Sequence, residues 1–72
     1  MNNKRRKQIK NIIIEIESLI ENILDEEQEA YDNMPEGIQS SDKGVNSEEA
    51  QDNLESTIDA LEEAVSYLEE IE

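Results

Sequence analysis

Eight aliphatic side chains, Ile9, Ile12, Ile13, Ile16, Leu19, Ile20, Ile23 and Leu24, recur at intervals of three and four residues early in this 72-residue chain. At about 100° per residue they fall within an arc of roughly 140° on an α-helix. The cluster Ile12, Ile13, Ile14 and Ile16 has the β-branched character of a strand, but Glu15 and Glu17 break a clean alternation and leave the 3.6-residue period in place. Ala30, Tyr31 and Met34 extend the stripe. The spacing predicts a helix over about residues 4–33.

The stripe ends at Asn33-Met-Pro-Glu-Gly-Ile-Gln-Ser-Ser, which holds the single proline of the chain and one of its two glycines. Pro35 disfavours helical geometry at Met34, and Gly37 offers a turn position, so residues 34–40 read as a turn. A second stripe follows: Leu54, Ile58, Leu61, Val65, Leu68 and Ile71, with Ala50, Thr57 and Ala64 as a small edge. It predicts a helix over about residues 41–71. Two capping residues compete for its start: Ser41 with Asp42 in the first turn, and Asn46 with Glu49 at capping-box spacing. The fold class is all-α, an antiparallel two-helix hairpin forming one domain.

A chain this short buries a small share of its surface, and small scaffolds rely on disulfides, metals, regular helix packing or oligomerisation. With no cysteine and no histidine, disulfides and the usual zinc, haem and iron–sulfur ligands are excluded. Most nucleophile–base pairs go with them, and paired carboxylates need a concave pocket that two helices hardly form. The expectation is a non-enzyme without cofactor or metal. No run of about 18 apolar residues offers a membrane span, and the basic start lacks a signal-peptide apolar run, so a cytoplasmic protein is expected.

Charge is uneven along the chain. Lys4, Arg5, Arg6, Lys7 and Lys10 supply five of the six basic residues, whereas all twenty acidic residues lie from Glu15 onward. Each block opposes its own helix dipole, but a hairpin sets the two side by side. If the turn centres near Glu36 and Gly37, residues whose numbers sum to about 74 face each other. Ile9 then lies near Val65, Ile16 near Ile58 and Ile20 near Leu54. A stripe of about 140° is wider than one two-helix seam requires, which predicts self-association through both stripes, most simply as a homodimeric four-helix bundle. Ile14 lies off the stripe, either as a tolerated exposed residue or as part of a second contact. Glu27 interrupts the stripe and needs a partner, with Ser47 and Lys43 at the corresponding height.

Several functional readings remain open at this level. Helical carboxylates one turn apart, about 5.4 Å, approach phosphate spacing, so mimicry of nucleic acid competes with a plain solvated surface. The Lys4-Arg5-Arg6-Lys7 cluster suits phosphate groups of nucleic acid or a nucleotide, against a net charge of −14 and no interleaved aromatic residue. The Asp32-Asn-Met-Pro-Glu-Gly segment lacks EF-hand ligand spacing. Tyr31 and Tyr67 read as boundary residues or interface anchors. Glu27, Tyr31 and Met34 near the turn, with the basic start, form the candidate partner-binding region.

The segment Asp25-Glu-Glu-Gln-Glu-Ala-Tyr-Asp-Asn-Met-Pro-Glu-Gly-Ile-Gln-Ser-Ser, with Asp52-Asn-Leu-Glu and Ile58-Asp-Ala-Leu-Glu-Glu-Ala, resembles small acidic helical proteins encoded by phages and prophages. The resemblance implies an accessory protein that binds and blocks a host protein, including components of antiviral defence. It carries no catalytic residue, and the first ten residues lie outside it. A purely structural assembly protein is the remaining alternative.

Overall fold

The computed structural model describes residues 1–71 and contains three helices: α1 (Asn3–Asp32), α2 (Glu36–Gln39) and α3 (Asp42–Glu69). The long helices α1 and α3 pack against each other in a rod-like hairpin with principal extents of 54 × 15 × 11 Å. Helix α1 starts where Asn2 turns extended and its side chain accepts a 2.8 Å hydrogen bond from the Arg5 backbone N–H. That cap satisfies one of the first-turn donors that a helix leaves without a partner.

The connection differs from the expected open turn. Asn33 and Met34 close α1 through backbone N–H groups donating to Glu29 and Tyr31 carbonyls, each at 3.0 Å. Pro35, with extended ψ of 149°, then starts a fresh helical turn whose Ile38 and Gln39 N–H groups return to its own carbonyl. Proline suits that place, since its missing N–H would have no helical acceptor. Gly37 lies inside this turn and no glycine has positive φ, so the turn role expected of Gly37 is not used. The glycine that matters is Gly44, which is buried and so close to Gln39 that an added Cβ would overlap the Gln39 carbonyl group. It lets α2 fold flat onto the first turn of α3.

Of the two candidate starts for α3, the structure selects Ser41, which has extended ψ, and puts Asn46 inside the helix. The Ser41 side chain makes no cap bond, and its hydroxyl donates back to the Ile38 carbonyl.

Packing between α1 and α3 follows a regular seam. The half-buried or buried residues Arg6, Lys10, Ile13, Glu17, Ile20, Leu24, Glu27, Tyr31 and Met34 repeat at alternating intervals of four and three. Gly44, Ser47, Gln51, Leu54, Ile58, Leu61, Val65 and Leu68 do the same on α3. Such 3–4 alternation is the signature of coiled-coil packing. Leu24 is the one buried large apolar residue among those described, at 9% exposure.

Candidate interaction surface

The isoleucine stripe of α1 divides in the folded chain. Ile13, Ile20 and Leu24 enter the seam, whereas Ile9, Ile12, Ile16, Leu19 and Ile23 remain 40–59% exposed. The two sets are parallel rows. The outer one also repeats at 3–4 spacing and lies about 100° around the helix from the inner one, each of its residues preceding an inner position by one. The inner row includes Arg6, Lys10, Glu17 and Glu27, while the outer row from 9 to 23 is wholly aliphatic. The hairpin thus leaves its more apolar row in water, which is the unusual observation here, since scattered exposed apolar residues are common but a contiguous row is not. Ile9 and Ile16, expected opposite Val65 and Ile58, sit on this outer row, whereas Ile20 and Leu54 are both half-buried.

Helix handedness places the neighbours of this row. Viewed from the start of α1 with α3 on the right, the outer row points upward. Helix α3 runs toward the viewer, so its residues about 100° behind its own seam also point upward. These are Ala50, Thr57 and Ala64, with Asn53 and Ala60 further round at the positions equivalent to Ile12 and Leu19. The upper face therefore combines a bulky aliphatic row from α1 with a row of small and polar residues from α3. On the lower face the same construction sets Ile14, 44% exposed, and Glu21 beside Glu55, Glu62 and Glu69. Two cross-helix contacts fit this assignment: the Lys10–Glu69 ion pair at 2.9 Å, and the Tyr31 hydroxyl donating to the Glu48 carboxylate. The hairpin has an apolar face and an acidic one.

The turn-proximal candidates form a polar closure. The Ser47 hydroxyl, 5% exposed, donates to Glu27 Oε1 at 2.7 Å and accepts from Gln51 Nε2 at 3.4 Å. The numbers of Glu27 and Ser47 sum to 74, whereas those of Lys10 and Glu69 sum to 79, since two long side chains span the difference. Lys43 makes no ion pair among the described residues. Gln39 Nε2 donates to the Tyr31 carbonyl at 2.9 Å, tying α2 to the end of α1. The hydrogen bond to Glu48, with smaller contributions from burial and from the charges of Glu48 and Asp32, raises the Tyr31 phenol above its ordinary value of 10.0. Met34 is half-buried beside this closure.

At the opposite end the basic start engages the end of α3 only in part. The Arg6 guanidinium donates to the Ile71 carbonyl and to Asn3 Oδ1, and Lys10 pairs with Glu69. The Lys10 hydrogen bond and charge hold the Glu69 carboxyl below its ordinary 4.5. Lys4, Arg5 and Lys7 form no ion pair among the described residues. Arg5 continues the outer row at its N-terminal end, four residues before Ile9, and Glu26 continues it three residues beyond Ile23.

Sequence reasoning did not single out Gly44, Gln39, Glu48 or Gln51. Gly44 and Gln51 continue the spacing of Leu54 and Ile58 back toward the turn without being bulky apolar residues, and Gln39 and Glu48 lie off that spacing and reach the site only through the docking of α2 and α3. Among the described residues no group of carboxylates is arranged to hold a metal ion, and no helix is long and apolar enough to cross a membrane. Compared with protein-family models, curated proteins and solved structures, the chain matches none.

Proposed function

We propose that this chain is a non-catalytic interaction module that works as a homodimeric four-helix bundle, built by covering the outer isoleucine row with a second hairpin. The observation that carries the reading is that row: Ile9, Ile12, Ile16, Leu19 and Ile23, 40–59% exposed and uninterrupted by any charge at row positions. Together they leave about 450 Å² of apolar surface in water, within the range of the largest apolar patch on a typical monomer, which is often functional. Two such faces together remove about 900 Å² before their flanks are added, approaching the lower end of a specific interface. Sedimentation equilibrium across micromolar concentrations tests it: the expected species has twice the chain mass. A monomer with full helicity at those concentrations contradicts it.

In such a bundle the acidic faces stay outside. They would offer a basic site on a host protein a carboxylate surface; the host protein is the partner that the phage resemblance implies, and the basic site follows from the acidic faces. An affinity pull-down from a bacterial lysate, with a variant carrying Gln at Glu21, Glu55 and Glu62 as control, tests that role. Loss of a specific partner with the control supports it, and equal recovery by both proteins counts against it. Nucleic-acid binding through Lys4, Arg5, Arg6 and Lys7 has less support, because Arg6 is occupied by Ile71 and Asn3.

A further inference from the structure

We infer that the second copy lies antiparallel on the first, with α1 crossing α1 and α3 crossing α3, so that each acidic turn region meets the basic start of its partner. This rests on the reading of the isoleucine face as a self-association surface and specifies its geometry.

Two hairpins can meet face to face in two symmetric ways. A two-fold axis along the helices puts both turns at one end and lays α1 on the partner's α3. An axis across them puts the turns at opposite ends. Charge separates these arrangements. Residues 25–52, around the turn, hold ten carboxylates against Lys43 alone, whereas residues 1–14 and 59–72 of the sequence together hold five basic and six acidic side chains. Turns at one end would set two strongly negative regions side by side. Turns at opposite ends set each one beside a nearly neutral region containing Lys4, Arg5 and Lys7, and like charges close together are the costlier arrangement.

The rows themselves are self-complementary in the antiparallel sense. Reversed about Ile16, the outer row of α1 maps onto itself: Ile9 falls on Ile23, Ile12 near Leu19, and Arg5 near Glu26. A cation at one end and an anion at the other therefore meet twice in the dimer. On α3 the small row Ala50, Thr57 and Ala64 is symmetric about Thr57. The two centres share one height in the hairpin, since 16 and 57 sum to 73, beside the 74 of the Glu27–Ser47 hydrogen bond. One axis across the hairpin thus serves both rows. The antiparallel arrangement also carries the two basic starts to opposite ends of a rod 54 Å long, so they do not gather into one phosphate-binding patch.

The chain has no cysteine, so single introduced thiols report the geometry directly. A disulfide needs Cα atoms about 4.4–6.8 Å apart. In the inferred dimer, Ile16→Cys forms a covalent dimer on oxidation. Ile9→Cys and Ile23→Cys do not couple to themselves, because each lies about 21 Å from its own copy along the axis, but a mixture of the two does couple. The charge swap supplies a second readout: Arg5→Glu and Glu26→Arg each weaken dimerisation at least about threefold, and the double variant recovers it. Coupling of Ile16→Cys with Thr57→Cys, in place of coupling to itself, would overturn the inference in favour of turns at one end. Self-coupling of both Ile9→Cys and Ile23→Cys, which needs α1 parallel against its own copy, would overturn the inference without favouring either face-to-face arrangement. A monomeric parent chain with no cross-link in any variant instead removes self-association itself.

Discussion

Leu19→Ala separates the role of the outer row from the stability of the hairpin. Leu19 is 58% exposed, so little of its surface is committed within one chain. Alanine has the highest helix propensity, and the substitution leaves α1 intact. The side chain loses three carbon groups, each contributing about 0.8 kcal/mol when fully buried. Scaling by the share that a partner can still cover gives about 1.4 kcal/mol per copy and about 3 kcal/mol per dimer, close to a hundredfold in the dissociation constant. Sedimentation equilibrium reads the association and circular dichroism at 222 nm reads the helix. The expected result is a dissociation constant raised by about two orders of magnitude with helicity unchanged in the isolated chain. Glu21→Ala, on the acidic face, serves as the control and leaves association unchanged. If Leu19→Ala dissociates no more readily than Glu21→Ala, the outer row is not the interface.

Other outcomes follow from the turn and the seam. Gly44→Ala should destabilise by about 1–3 kcal/mol in urea melts, although propensity alone predicts a gain of about 1 kcal/mol, because the new Cβ would collide with Gln39 backbone that cannot rotate away. A stabilised variant would refute that steric account. Ser47→Ala removes the hydrogen-bond donor to Glu27 and should cost about 1.5–3 kcal/mol, read from the same melts; an unchanged midpoint would show that water replaces the hydroxyl. For Tyr31 the folded pKa lies above the unfolded 10.0, so its contribution is complete below pH 10 and disappears as pH rises through the folded value. Stability measured from pH 9 upward should therefore fall less steeply for Tyr31→Phe than for the parent chain, and equal slopes would count against the Glu48 contact. For Glu69 the folded value is depressed, so the Lys10 ion pair contributes above pH 4.5 and is lost as pH falls through that lower value. Lys10→Met should remove that part of the acid dependence in chemical denaturation followed against pH.

The sequence by itself determined the two long helices and the break between them, but not the helical turn α2 inside that break. The three- and four-residue spacing of the apolar side chains can be satisfied only by helices, and Pro35 stops the first because its ring excludes helical geometry at Met34. Glu27 was legible as a site for the same reason, being a charge inside an apolar period, and Ser47 opposite it follows from the length of the turn. What the period cannot rank is which of two rows faces inward. Ile9, Ile12, Ile16, Leu19 and Ile23 share the spacing of the row containing Ile13, Ile20 and Leu24, and both lie within one broad stripe. The tertiary structure decides between them through the helical turn at residues 36–39 and the close approach at Gly44, which together set the side from which α3 meets α1. That choice turns the most apolar row outward. The feature that first marked the chain as helical becomes its candidate interaction surface, because one neighbouring helix can cover only part of a stripe this wide.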